Sequence, residues 1–281
     1  MAGFSTYDSI INALTVSGYG QRVWFNKDSY VTVGTSYYDF WMGSGSPAAG
    51  TWGVHGTGRA IDNTFAAALP FTNAGATRTM HLLSMGVGSS IILGSLLLYD
   101  RLAEYPFDGT DTANDFNAGA GVALPARDAI GGTNGVGCAL IVENFSATAC
   151  TAQTFTPTYT DSAGVDRTAA AVLFASGTSG KRIVHPVANG IFWPLNAAGT
   201  GIRLIKSYTL GASCLSPQMC ATIIRPIAVV PVMTADSYVE RDFVLQLAAL
   251  PRLYDGTALS FILLAGATTC PMWGSVLFAE N

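Results

Sequence analysis

Beyond residue 20 the chain is a succession of short apolar runs separated by clusters of Gly, Ser, Thr, Asn and Pro. Residues 22–25, 30–33 and 37–41 open the series, followed by 81–87 and 91–102. Segments 137–144, 153–159 and 168–174 continue it, the last two joined by the turn sequence Asp161-Ser162-Ala163-Gly164. In 201–210, Ile202 and Leu204 alternate with Arg203 and Ile205, as on a half-buried strand. Segments 219–232, 238–247, 258–264 and 272–278 complete the pattern. Runs of this kind, bounded by turn residues, predict strands. Strands recurring at this spacing predict a mainly β fold, a β-sandwich of jelly-roll type. Segment 236–250 also fits a short helix. The clearest helix lies at the start, where Thr6 or Ser5 caps a stretch with Ile10, Ile11 and Leu14 on one face and Gly18 as its stop.

Residues 43–58 are rich in Gly, Ser and Ala, too small and polar to build a core of their own. They place a soft boundary near residue 60. The expected organisation is an N-terminal docking or arm region over 1–60 and a β-sandwich over 61–281, or one continuous unit.

Charge changes the picture. Only 11% of the 281 residues are charged, while mean hydropathy is +0.36. An ordinary soluble domain carries roughly 25% charged residues, so a membrane or neighbouring protein should cover part of this surface. Windows 82–99, 207–224 and 256–279 contain no Asp, Glu, Lys or Arg. Each is broken by Gly, Ser, Thr or Pro, which predicts paired strands rather than a spanning helix. The opening Met1-Ala2-Gly3-Phe4 has no basic region followed by an apolar stretch, so a chain made and kept in the cytoplasm is expected. Net charge is −4, with no basic footprint for nucleic acid.

Catalytic chemistry is sparse. His55, His81 and His185 have no second ligand at metal-binding spacing. Gly53, Gly56 and Gly58 lack the Lys-Ser/Thr of a phosphate loop, and Asp108, Asp111 and Asp115 lack calcium-loop spacing. No G-x-S-x-G elbow is present. No catalytic residue, metal or cofactor is assigned, and a non-enzymatic role is expected. The cysteines (Cys138, Cys150, Cys214, Cys220 and Cys270) read as buried free thiols, with Cys138–Cys150 or Cys214–Cys220 as geometrically possible bridges. The aromatic residues Trp24, Phe25, Tyr37, Tyr38, Phe40, Trp41 and Trp52 crowd one stretch. They fit sheet packing, a subunit interface or a sugar-stacking platform.

Three segments carry a resemblance. Gly94-Ser95 leads into Leu96-Leu97-Leu98-Tyr99-Asp100-Arg101-Leu102. Tyr7-Asp8 with Ile10-Ile11-Asn12-Ala13-Leu14 precedes Gly18 and Gly20-Gln21. Tyr38-Asp39-Phe40-Trp41 runs into Gly45-Ser46-Pro47-Ala48-Ala49-Gly50. Together they resemble structural proteins of tailed-bacteriophage virions. The resemblance implies a virion component without catalytic residues, made in the host cytoplasm. A head decoration (cement) protein is the leading expectation: a trimer bound to the major capsid protein or other virion proteins, with no nucleic acid or membrane partner. A major capsid or neck/tail protein is the structural alternative. A carbohydrate-binding or depolymerase protein is the alternative from another class; it requires exposed aromatics and paired carboxylates, and Glu104, Glu143 and Glu240 show no pairing in the sequence.

Overall fold

A computed structural model describes residues 4–28, 37–90, 94–146, 148, 150–174, 182–186, 190–196, 200–246, 249–264 and 271–281. The chain is mainly β with one short N-terminal helix, as the alternation predicts. That helix, α1 (Tyr7–Thr15), begins with a reciprocal cap between Thr6 and Ser9. Its packed face is Ile10, Ala13 and Leu14, whereas Ile11 points outward and is 56% exposed. The expected face was therefore one residue too wide.

The strands that carry the fold, numbered in chain order, are β1 (Gly20–Asp28), β2 (Tyr37–Asp39), β3 (Met80–Ser89), β4 (Gly94–Phe107), β5 (Ala139–Asn144) and β6 (Thr154–Asp161). They continue with β7 (Ile202–Leu210), β8 (Met219–Val232), β9 (Ser237–Asp242), β10 (Leu259–Leu264) and β11 (Met272–Glu280). One sheet runs β9-β3-β11-β1, with Ser44–Ser46 beyond β1 and Arg252–Leu253 paired to β3. A second is built on the β6–β7 pair, flanked by Asp166–Thr168 and Ala113–Asp115. The third runs β8-β5, then Arg182–Ile183, then β2-β10-β4. Because β4 also pairs along its length with β8, this third sheet closes into a six-stranded barrel.

Two register shifts in the β4–β8 ribbon, at Ile223/Ile224 and Pro226/Ala228, bend it around the barrel. Leu97 and Tyr99 face inward with Ile141, Ile183, Ile224 and Ile262. On the outside, the first sheet packs Val23, Phe25, Met85, Val87 and Val276 onto Leu96, Leu98, Val230, Val232 and Phe261. Farther along the same ribbon, the second sheet packs Phe155, Tyr159, Ile205 and Tyr208 onto Tyr105, Phe107, Leu140, Val142 and Ile223. The sandwich layering is thus used twice, on one central barrel.

This architecture explains the uncharged windows. Window 82–99 holds most of β3 and the start of β4; 207–224 holds the end of β7 and the start of β8; 256–279 holds β10 and most of β11. Each joins strands of two different sheets. Most positions of these strands pack into a core, where an unpaired charge would be costly. Among the described residues no helix is long and apolar enough to cross a membrane.

Residues 1–60 do not form a separate arm among the described positions. β1 lies beside the C-terminal β11, β2 belongs to the barrel wall, and Arg59–Ala60 pairs with β4. The glycine-rich stretch is fastened by backbone bonds from Gly50 N–H to Trp41 C=O at 2.7 Å and from Gly56 N–H to Pro106 C=O at 2.9 Å. It is a covering loop. Segment 236–250 contains both alternatives, β9 followed by the single turn α2 (Phe243–Gln246). The 168–174 run divides into short pairings at 166–168 and 172–173. The expected strand at 30–33, the start of the 91–102 run and Cys270 lie outside the described residues.

Candidate functional site

Two of the three segments that carry the resemblance, 38–41 and 96–102, meet inside the barrel. Asp39, from β2, accepts hydrogen bonds from the Tyr99 hydroxyl at 2.5 Å and the Arg101 guanidinium at 3.2 Å. Arg101 also binds Glu143 of β5 at 2.7 Å, Glu104 at 3.3 Å and the Thr222 hydroxyl of β8 at 3.0 Å. The Trp41 ring lies 4.9 Å from its guanidinium carbon. Glu104 in turn binds Arg59 at 2.5 Å. Arg101, Asp39 and Glu143 have no solvent exposure. Burial, reinforced by the nearby Glu143 carboxyl, pushes the Asp39 pKa well above the usual carboxylate range. Glu104 and Glu143, unpaired in the sequence, are thus brought together through one guanidinium. Both are buried. The network ties β2, β4, β5 and β8 to one side chain, which fixes the register of the barrel wall.

Asp100, next to Arg101, points to the opposite side of β4. It accepts the Ala258 N–H at 2.9 Å and lies 3.6 Å from Arg127 and 3.7 Å from Arg225. Lys27 is also buried; its ammonium donates to the Gly43 and Ala48 carbonyls, both at 3.1 Å. Burial lowers its pKa to about 8. Among the described residues, twelve Asp, Glu, Lys and Arg side chains are buried, more than a third of the chain's total. The outer surface is therefore poorer in charge than composition alone implies.

What that surface offers is aromatic. On the outward face of β9-β3-β11-β1, Tyr238, Trp273 and Trp24 are 47%, 43% and 65% exposed. The register places Gly88 between Tyr238 and Trp273. A methyl group at Gly86 would lie 2.0 Å from the Tyr238 hydroxyl, and one at Gly88 would lie 2.6 Å from the Trp273 indole nitrogen. Both rings therefore lie flat across a strand that has no side chains at those points. The Tyr238 hydroxyl meets Ser275 Oγ at 3.3 Å, and Arg22 donates to the same Oγ at 3.0 Å. Ser84 donates to Glu240 at 2.8 Å on the neighbouring strand pair. The result is a flat aromatic face with Arg22 and Glu240 beside it.

The expected interface residues separate accordingly. Trp24 belongs to this face. Phe25, Tyr38, Phe40 and Trp41 are 3% exposed or less and pack inside the chain, so for these four the core reading replaces the interface reading. Phe25 alternates with the outward Trp24 on β1, Tyr38 lies on β2, and Phe40 and Trp41 sit on the short 3-10 turn that follows β2. Tyr37 is half-buried, edge-on to His185 at 4.9 Å. Trp52 is half-buried against Phe145 at 5.3 Å and His55 at 5.1 Å. Tyr238 and Trp273 escaped sequence reasoning because they lie far along the chain from the aromatic cluster. Their signal was the alternation of Gly86 and Gly88 in a strand that needs ring cover.

No protein-family model and no curated protein sequence matches the chain. Among solved structures, the infectious bursal disease virus Gx strain aligns with a TM-score of 0.18 and 10% identity, over 93% of this chain and 81% of that one. The VP2 subviral particle of the same virus aligns with a TM-score of 0.18 and 10% identity, over 92% and 80%. Alignments at this level bear on neither the fold nor the function of this chain.

Chemically, the exposed face can bury rigid rings against a partner at little conformational cost. Widening Gly86 to valine should displace the Tyr238 ring while leaving the barrel intact. Tyrosine fluorescence quenching by acrylamide would rise in that variant, with far-ultraviolet circular dichroism unchanged.

Proposed function

We propose that the chain is a non-enzymatic virion structural protein that docks onto an assembled lattice of shell subunits, in the manner of a decoration protein. The observation that carries the reading is the exposed aromatic face on a molecule that has drawn much of its scarce charge inward. A protein held among neighbours in a symmetric assembly can keep such a surface, because the neighbours cover what would be adhesive in solution. The phage-like segments support the same reading, since the polar residues of two of them build the barrel against which the sheet bearing this face packs. A trimer bound to the major capsid protein is the arrangement we favour. Binding only the assembled lattice would stabilise it by linkage.

Purified protein should add to undecorated capsids in saturable, stoichiometric amounts and raise their melting temperature. Failure to bind, with only a few copies per particle in quantitative mass spectrometry of virions, would overturn the decoration role. The second reading, glycan binding, draws on the same face: two indoles and a phenol flanked by Arg22 and Glu240 also suit a sugar ring. Specific retention on a glycan array without capsid binding would favour it.

A further inference from the structure

The second sheet carries a pair of cysteines that neither the motifs nor the proposed role uses. The β6–β7 pairing matches Phe155 with Leu210 and continues past the formal strand ends. Gly211 N–H donates to Thr154 C=O at 3.0 Å, and Thr151 N–H donates to Cys214 C=O at 2.9 Å. This extension lays 150–154 beside 211–214 and brings Cys150 to Cys214, a pairing the sequence spacing had not favoured. Both belong to the same apolar cluster, at 1% and 0% exposure, and both are free thiols. Gly109 leaves room for the Cys214 sulfur; a methyl group there would lie 2.4 Å from Sγ. Cys138 and Cys220, also buried and free, have other neighbours: Cys138 Sγ lies 3.8 Å from the Val136 carbonyl and Cys220 Sγ 3.5 Å from the Thr222 hydroxyl.

We propose that Cys150 and Cys214 form a modification site, closing to an intramolecular disulfide under oxidation by a peroxide. The two thiols are unequal. A hydrogen bond from Cys150, aided by the Ser216 backbone, lowers the Cys214 pKa, while that same bond and burial raise the Cys150 pKa. Cys214 is therefore the attacking thiolate and Cys150 the resolving thiol. The Cys214 sulfur attacks one peroxide oxygen; the O–O bond breaks, and the departing hydroxide leaves as water with a proton, giving a sulfenic acid on Cys214. The Cys150 sulfur then attacks that sulfur, the S–O bond breaks, and the hydroxyl leaves as water with the Cys150 proton. Two thiols lose two electrons in total, and one peroxide becomes two waters. In a particle that leaves a reducing cytoplasm the bridge would close after assembly, although the chemistry itself does not depend on the lattice reading.

The test uses the purified full-length chain. One sample is treated with hydrogen peroxide while folded, and another is refolded in a glutathione redox buffer; both are then denatured and alkylated. The expected result is a mass loss of two hydrogens and two fewer alkylated thiols. Chymotryptic cleavage at Phe145, Phe155, Leu210 and Leu215 separates Cys150 from Cys138 and Cys214 from Cys220, so the linked peptides identify the pair. The bridge closes a loop of about 65 residues and should raise Tm by about 5 °C, reversed by dithiothreitol. The Cys150→Ser variant should show neither the mass loss nor the Tm increase. Full alkylation in both arms, or a bridge to Cys138, Cys220 or Cys270, would overturn the proposal. Because no capsid is present, that failure would leave the docking reading intact.

Discussion

Arg101→Met should destabilise the chain by about 3–5 kcal/mol, the range found when one partner of a buried ion pair is removed. The substitution keeps the volume of the stem but leaves Asp39, Glu104 and Glu143 facing one another inside a barrel without solvent. For a chain of this size the loss corresponds to a fall in Tm of roughly 10 °C, measurable by differential scanning calorimetry. A drop below about 1 kcal/mol would mean that the network does not hold the barrel wall. Asp39→Asn should be milder, about 1–2 kcal/mol at neutral pH, because it removes one acceptor and no cation.

The two variants also differ in pH dependence. The Asp39 pKa is raised in the folded state, so the folded chain binds more protons than the unfolded chain between the two values. The Asp39 contribution is fully present below the ordinary carboxylate pKa and is lost as pH rises toward the raised one. The stability of Asp39→Asn relative to the parent should therefore improve as pH increases from about 4. A constant difference across that range would show that Asp39 ionises as freely as an exposed carboxylate.

The second large effect belongs to the surface. Replacing Trp24 and Trp273 together by alanine should weaken capsid binding by at least about 100-fold, since buried aromatic anchors contribute about 2 kcal/mol or more each at an interface. Both rings are substantially exposed in the free chain, so Tm should change little. Tyr7→Ala, which removes an exposed ring on α1, a helix packed at the Ala279 end of this sheet, serves as the control and should bind normally. Equal loss in the control would shift the contact surface to the helix end of the molecule.

Much of the fold was legible because strand burial leaves a direct trace in the residue pattern. The 219–232 run is β8 residue for residue, and the Asp161–Gly164 turn is closed by a Gly164 N–H bond to the Asp161 carbonyl at 3.0 Å. Ring closure was not legible. It depends on Arg182–Ile183, a two-residue strand whose single pairing to Tyr37 leaves no periodicity to detect. The network was half visible: a Tyr-Asp-Arg triplet inside an apolar run signals buried charge, but nothing local says that Asp39, Glu143 and Thr222 will meet it. The aromatic face was legible only at Trp24. Alternation assigns Tyr238 and Trp273 to strand faces without saying which sheet they share.

Closure of the central layer has a further consequence for how copies of this molecule associate. A closed ring has no terminal strand, so among the described residues extension of that layer by strand addition is confined to the part of β8 beyond Ile224, which pairs with β4 alone. In the outer layer next to β3, the terminal strands are a three-residue segment at Ser44–Ser46 and β9, which carries Glu240, Arg241 and Asp242. Short or charged borders discourage stacking of one chain onto the next. Association is thereby steered from indefinite growth toward side-chain contacts between faces, which have a defined geometry, can be counted and can be undone by a single substitution.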